Sequence, residues 1–302
     1  MKRFFPAFVL NLGIAAPLCV CGCGGSWTSG DDSAAVSCDL GEWYGGTPSK
    51  LAVSSDEESL YILDRNGTVY GYGRNDSRVC AFESNSGFAS YGALSLGFAD
   101  DIAPAGSYLY YDDGLEVRRY NDSSWTCGVS PSSMAVNASS IAVAGDYTLA
   151  DYKLTSSGCT KKATSFVNAE RPLAVAADDQ YVITAESVTG SGSPERLVIY
   201  DRSSGSVEAR SALSDLDSSE LHFCEATRLR LGNGYILLLD AKCGYIGVFD
   251  YNGTLSHRLD LSDFGIRSPE DIAVAGDVLY ILNGSSVRTL YRLDFATYSW
   301  DH

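Results

Sequence analysis

Residues 268–294 read SPEDIAVAGDVLYILNGSSVRTLYRLD, and their pattern decides the fold. A small-residue stretch from Asp271 to Ala275 runs into Gly276 and Asp277, and a bulkier stretch from Val278 to Asn283 follows. After a Gly-Ser cluster a third apolar stretch ends on Asp294. Short runs rich in Val, Ile, Leu and Tyr, punctuated by Gly, Asn, Asp and Ser, read as strands joined by tight turns. A helix needs apolar residues at three- and four-residue spacing over a longer window, and the punctuation leaves no room for one.

The same unit recurs outward from there. The alanine-rich strand with its bulky partner reads LAVSSDEESLYILD from Leu51, DIAPAGSYLYYDD from Asp101, MAVNASSIAVAGD from Met134, LAVAADDQYVITAE from Leu173 and LRLGNGYILLLDA from Leu229. Downstream of each, a strand ends at a polar turn and another returns, as in LVIYDRSSGSVEA (197–209) and IGVFDYNGTLSHRL (246–259). Placing these turns at Asn75, Asn121, Thr155, Asp201, Asp250 and Asp294 gives steps of 46, 34, 46, 49 and 44 residues. A period in the forties with four strands per unit is the pattern of propeller blades. The expected fold is therefore all-β: a six-bladed β-propeller of four-stranded antiparallel blades over residues 38–302.

Blade starts are expected near Lys50, Asp100 to Asp101, Ser133, Pro172, Thr227 and Asp271. The innermost strand of each blade crowds the axis, which suits Ala52, Ala103, Ala135, Ala174 and Ala273. Arg230 stands out because it lies on such a strand. The last blade is expected to complete its outer strand with Thr297 to Trp300, with residues 38–49 as a latch, and the best helix candidate is Asp217 to Cys224. These blades resemble the NHL, YVTN and TolB-like propellers, most closely at 268–294. The resemblance implies a fold and no particular activity.

Residues 1–22 carry Lys2 and Arg3 ahead of an apolar run interrupted by Pro6, Asn11 and Pro17, the pattern of an export signal. The junction Val20-Cys21-Gly22-Cys23 resembles the bacterial lipobox, which implies acylation of Cys23, although Cys21 stands where Ala or Ser is usual. Residues 23–37 form a flexible tether. By the same resemblance Gly24, where an inner-membrane retention signal would place Asp, points to the outer membrane of a bacterial cell envelope.

The chain has 22 Lys and Arg against 38 Asp and Glu, a net charge of -16. Phosphate neutralisation needs a basic stripe, so nucleic acid is excluded as a partner. Membrane attachment must come from the lipid, because an acidic surface is repelled by anionic headgroups. Beyond Cys23 six cysteines remain, an even number suited to disulfides in an exported chain. Cys224 and Cys243 are expected to bond: the connection into an inner strand and the turn between the second and third strands emerge on one face of a blade. Cys38 with Cys80 is the further pairing. Cys127 and Cys159 lie on outer strands of successive blades, expected to diverge at the rim, and are left to bond or stay free.

His222, His257 and His302 are dispersed, no Cys-x-x-C occurs among the six, and neither a zinc site nor a cofactor is implied. Asp64-Arg65-Asn66-Gly67 and Asp250-Tyr251-Asn252-Gly253 lack the closing Glu of a calcium loop and read as turns. Charged residues gather on the connections into the inner strands and form a candidate ligand site at the channel mouth: Asp100, Asp101, Glu170, Arg171, Arg228, Arg230, Glu270 and Asp271. The expected function is a membrane-anchored binding or scaffold module for a protein or glycan. The alternative is a propeller lyase or hydrolase acting on carbohydrate at the same mouth.

Overall fold

The computed structural model describes residues 35–38, 47–54, 56–75, 82–84, 94–96, 99–145, 147–188, 193–213, 223–284 and 289–294. The export signal, Cys23, most of the tether, Cys80, the helix candidate up to residue 222 and residues 297–300 lie outside them.

The regular structure of the described residues is almost wholly antiparallel strand, with a 3-10 turn at Leu261–Phe264. One sheet is β2 (Pro48–Val53), β3 (Ser59–Asp64), β4 (Thr68–Arg74) and β5 (Phe82–Ser84), with β6 (Leu94–Ser95) also paired to β4. Next come the meanders β7 (Asp101–Ala105), β8 (Tyr108–Asp112), β9 (Val117–Arg119), β10 (Asp122–Cys127) and β11 (Ser133–Val136), β12 (Ser140–Gly145), β13 (Thr148–Thr155), β14 (Gly158–Lys161). Two further four-stranded sheets follow: β15 (Pro172–Ala177), β16 (Tyr181–Glu186), β17 (Arg196–Asp201), β18 (Val207–Ala212); then β19 (Ala226–Gly232), β20 (Tyr235–Asp240), β21 (Tyr245–Phe249), β22 (Leu255–Asp260). The last is β23 (Pro269–Ala275), β24 (Val278–Asn283) and β25 (Thr289–Asp294), completed by β1 (Val36–Cys38) from the other end of the chain.

The first strands stand side by side in a closed circuit: β2 beside β7, then β11, β15, β19 and β23, which returns to β2. Buried apolar clusters fill the spaces between successive units. Ile183, Leu197 and Ile199 meet Leu229, Ile236 and Leu238, while Leu51, Leu60 and Ile62 meet Ala273, Tyr280 and Leu282. Each fully buried side chain of this kind contributes about 1.5–3 kcal/mol, so the space between the sheets is where the molecule is held together. The arrangement is radial, that of a β-propeller.

The recurrent strand-ending Asp has a local cause. The Asp64 carboxylate accepts the N–H groups of Asn66 and Thr68, both at 2.8 Å, and Asp250 accepts those of Asn252 and Thr254 at the same distance. Asp201 does likewise for Ser203 and Ser204. These carboxylates close turns that Gly67 and Gly253 complete at φ of 77° and 79°, a conformation that costs glycine nothing.

Three local expectations are corrected. The rims of two neighbouring meanders do not diverge: β10 and β14 pair in parallel, Thr126 opposite Gly158, making one eight-stranded sheet. Cys127 and Cys159 are disulfide-bonded across that seam, with α-carbons 5.1 Å apart. The short 34-residue step between the turns at Asn121 and Thr155 accounts for it, since short connections draw the two outer strands together. The position outside β25 is taken by β1, with Val36 opposite Arg292 and Cys38 opposite Leu290. Finally, Ala174 lies one pleat away from its supposed equivalents, because LAVAA fits the repeat in two registers and a bulge between Pro172 and Ala174 selects the other. Cys224 and Cys243 are bonded as topology requires, with α-carbons 5.8 Å apart.

Candidate functional site

The ladders align the first strands residue by residue. Bulges at Pro48/Lys50, Pro172/Ala174, Ala226/Arg228 and Pro269/Asp271 make Lys50, Ala174, Arg228 and Asp271 equivalent. Asp101 and Ser133 open β7 and β11 at the same level. The shared geometry shows in two hydrogen bonds between neighbouring strands: the Leu51 N–H donates to Asp271 Oδ2 at 2.7 Å, and the Val175 N–H donates to Ser133 Oγ at 3.2 Å. Around the axis the sequence is thus Lys50, Asp101, Ser133, Ala174, Arg228, Asp271, with signs that alternate over its charged arc from Arg228 to Asp101.

Arg228 binds both acids. Its Nη1 and Nη2 donate to Asp101 Oδ2 and Oδ1 at 2.7 and 2.8 Å, and its Nε and Nη2 donate to Asp271 Oδ1 and Oδ2 at 2.7 and 2.8 Å. All three residues are buried, at 2%, 4% and 0% exposure for Arg228, Asp101 and Asp271. The Ile102 and Ile272 N–H groups add bonds to the two carboxylates. Burial works against charge on Arg228, but the two aspartates outweigh it and hold the guanidinium firmly protonated. Burial likewise pushes Asp101 up, and Arg228 more than reverses this. Deleting one partner of such a group strands the others and typically costs 3–5 kcal/mol.

Lys50 is half-buried beside this group. The charge of Arg228, then burial, lower its pKa, against the pull of Asp271 and Asp101. One pleat further along lies a second level, where Ala52, Ala103, Ala135, Ala176 and Ala273 are joined by Arg230. They line a cavity of about 180 Å³ on the axis. Arg230 donates its Nε to Ile272 O at 3.1 Å, Nη1 to Leu229 O at 3.1 Å and Nη2 to Leu51 O at 3.2 Å. Asp271 is 4.0 Å away. Burial, then the charge of Arg228, bring the Arg230 pKa down to about 10.

Of the residues read from sequence, Asp101, Arg228, Arg230 and Asp271 are thus together. The others are elsewhere. Glu170 lies 3.4 Å from Arg196, in a group with the buried Glu186. Arg171 accepts the Ser187 N–H at its carbonyl. Glu270 pairs with Arg65 at 3.0 Å on the surface, and Asp100 is exposed. Sequence reasoning passed over two groups. Lys50 was read as a blade start, although its equivalence to Asp271 was the available signal. The buried Asp112 has a pKa raised to about 6, first by burial and further by Asp100, Asp101 and Asp113, against the Gly114 N–H that it accepts. Among the described residues Cys224, Asp240 and Cys243 are close enough to suggest a metal group, but both thiols are in the disulfide and Asp240 accepts the N–H groups of Cys224, Glu225 and Cys243.

No protein-family model matches the chain, and no curated protein matches it. Solved structures do. The WD40 β-propeller domain of Doa1 superposes with a TM-score of 0.57 at 11% identity, over 87% of this chain and 96% of that one. A chain of the mitotic checkpoint complex gives 0.56 at 12% identity, over 86% and 81%, and Hsv2 of Kluyvelomyces marxianus gives 0.51 at 12%, over 85% and 75%. At such identities the likeness shows the fold, a β-propeller, and nothing of ligand or partner.

Proposed function

We propose that the protein is an exported, lipid-anchored binding module: a six-bladed propeller that presents an axial ligand site from the cell envelope. The observation that carries the reading is the closed circuit of β2, β7, β11, β15, β19 and β23 around a cavity that holds Arg230, with the buried Arg228 group at its inner end. A pocket on the axis with a few convergent polar groups is where a propeller of any family can hold a ligand. Binding fits this site better than hydrolysis or elimination. Arg228 ties up Asp101 and Asp271 and keeps Asp101 ionised, whereas a general acid needs a raised pKa and a free proton. The anchor rests on Gly22-Cys23 and on the need for something other than charge to hold an acidic protein at a membrane.

Acyl chains contribute about 0.8 kcal/mol per buried CH₂, enough to hold a protein of this charge. The test is palmitate labelling with detergent phase partitioning of the exported chain. Wild type should carry label and enter the detergent phase, and Cys23→Ala should do neither. A Cys23→Ala form that still sediments with membranes at high salt would refute the anchor.

A further inference from the structure

We propose that the axial cavity binds a small monocarboxylate with a short aliphatic tail, held by Arg230. This rests on reading the channel as the ligand site and names the chemistry of what enters it.

The second level of the channel is five alanines and one arginine, so Arg230 is the one ionic side chain of the cavity lining. Arginine carries five N–H donors. Arg230 gives three of them to the carbonyls of Leu51, Leu229 and Ile272, and two remain, one on each terminal nitrogen. Two is the number that a guanidinium offers to the paired oxygens of a carboxylate. The protein's own acids do not fill this role, because Asp101 and Asp271 are committed to Arg228 and Asp271 approaches Arg230 only to 4.0 Å. Arg230 makes its own hydrogen bonds to neutral carbonyls. Buried charge is costly without a partner of opposite sign, and a single anion in the cavity supplies one to Arg230.

Size, walls and access narrow the class. A volume of about 180 Å³ is roughly that of six waters, room for an anion of about six heavy atoms. Beyond Arg230 the lining continues as Val53, Pro104, Val136, Leu231 and Val274, which suits an alkyl tail. A phosphate has more oxygens than the two remaining Arg230 N–H groups can meet. These outer lining residues are all half-buried, whereas Asp101, Ser133, Ala174, Arg228 and Asp271 are buried. The ligand therefore enters from the end opposite the Arg228 group.

The test is the thermal midpoint of the mature protein in butyrate, phosphate or chloride at matched ionic strength. The acidic surface repels anions elsewhere, so a specific effect reports the cavity. Butyrate at a hundredfold excess over its Kd should raise the midpoint by roughly 5 °C, and phosphate and chloride should not. Arg230→Met should abolish the effect. Should that variant not fold, Arg230→Lys, which keeps the charge and loses the two-pronged donor, should weaken butyrate binding at least about tenfold, the cost of one good charge-assisted hydrogen bond. No butyrate effect on wild type, an undiminished effect in the Arg230 variant, or a larger effect of phosphate than of butyrate would each overturn the proposal. Butyrate binding would stand even if Cys23 proved unacylated, and its absence in an acylated protein would remove the carboxylate alone, so the two readings fail separately.

Discussion

At the scale of the residue, the chain divides its buried charges into paired and unpaired ones. Arg228, Asp101 and Asp271 satisfy one another, whereas Asp112 is buried, accepts the Gly114 N–H and has three other acids around it. Its pKa of about 6 in the folded protein lies above the ordinary aspartate value near 4. Between those values the folded state holds a proton that the unfolded chain has lost. Stability therefore falls as pH rises through that window and recovers as pH falls back through it, by on the order of 2 kcal/mol from this group. Asp112→Asn keeps an oxygen for the Gly114 N–H and removes the titration. The difference between wild-type and variant midpoints should widen in the variant's favour from pH 4 to pH 7, and a constant difference would show that Asp112 titrates normally. Little of this was legible in the sequence. Arg230 could be singled out because its neighbours on the repeat are alanines, but Arg228 finds Asp101 across 127 residues of chain, and no local pattern announces such a pair. Glu170, Arg171 and Glu270 occupy connections of the expected kind, yet a connection fixes only which face a residue is on, not how far it stands from the axis.

The elements were more legible, because strand and turn chemistry is local. The alternation of small and bulky strands is borne out from β2 to β24, and strands begin at Pro48, Asp101, Ser133, Pro172, Ala226 and Pro269, within two residues of expectation. The offsets have a cause: Pro48 and Pro269 open their strands, where a missing N–H is tolerated, and a bulge follows each. What sequence could not supply was how one unit meets the next at the rim. The β10–β14 seam is a single parallel pair, crossed also by the Trp125 Nε1–H donated to Thr155 O at 2.9 Å and by the Cys127–Cys159 bond. Closing a loop of 32 residues contributes roughly 3–4 kcal/mol in the chain-entropy model. Cys127→Ala with Cys159→Ala should lower the thermal midpoint by roughly 10 °C, and non-reducing peptide mapping of wild type should recover the two cysteines joined. A double variant that melts with wild type would mean that the seam holds without the bond.

For the whole molecule the question is what keeps the ring shut. In the described residues the join is made by the chain's two ends: β1 lies antiparallel on β25, with Ser37 opposite Tyr291 between the outer pairs. Without β1 the last sheet would keep three strands and expose the edge of β25, a row of unpaired backbone groups that templates aggregation. The same strand is the first described element after the proposed lipid at Cys23. The intervening residues 24–35 can reach at most about 40 Å when fully extended, so one short strand would both close the ring and set its distance from the bilayer. The two roles separate experimentally. Lengthening the tether with Gly and Ser between residues 24 and 34 should leave the urea midpoint unchanged, because those residues precede the paired ones. Deleting Val36–Cys38 should lower the midpoint and promote aggregation, with hydrogen exchange rising first in β25, whose amides lose their partners, and then in β24. If the deletion unfolds at the same urea concentration as wild type and β25 stays protected, then β1 is an ornament on a ring that other contacts close, and the span between Cys23 and the propeller is free to vary.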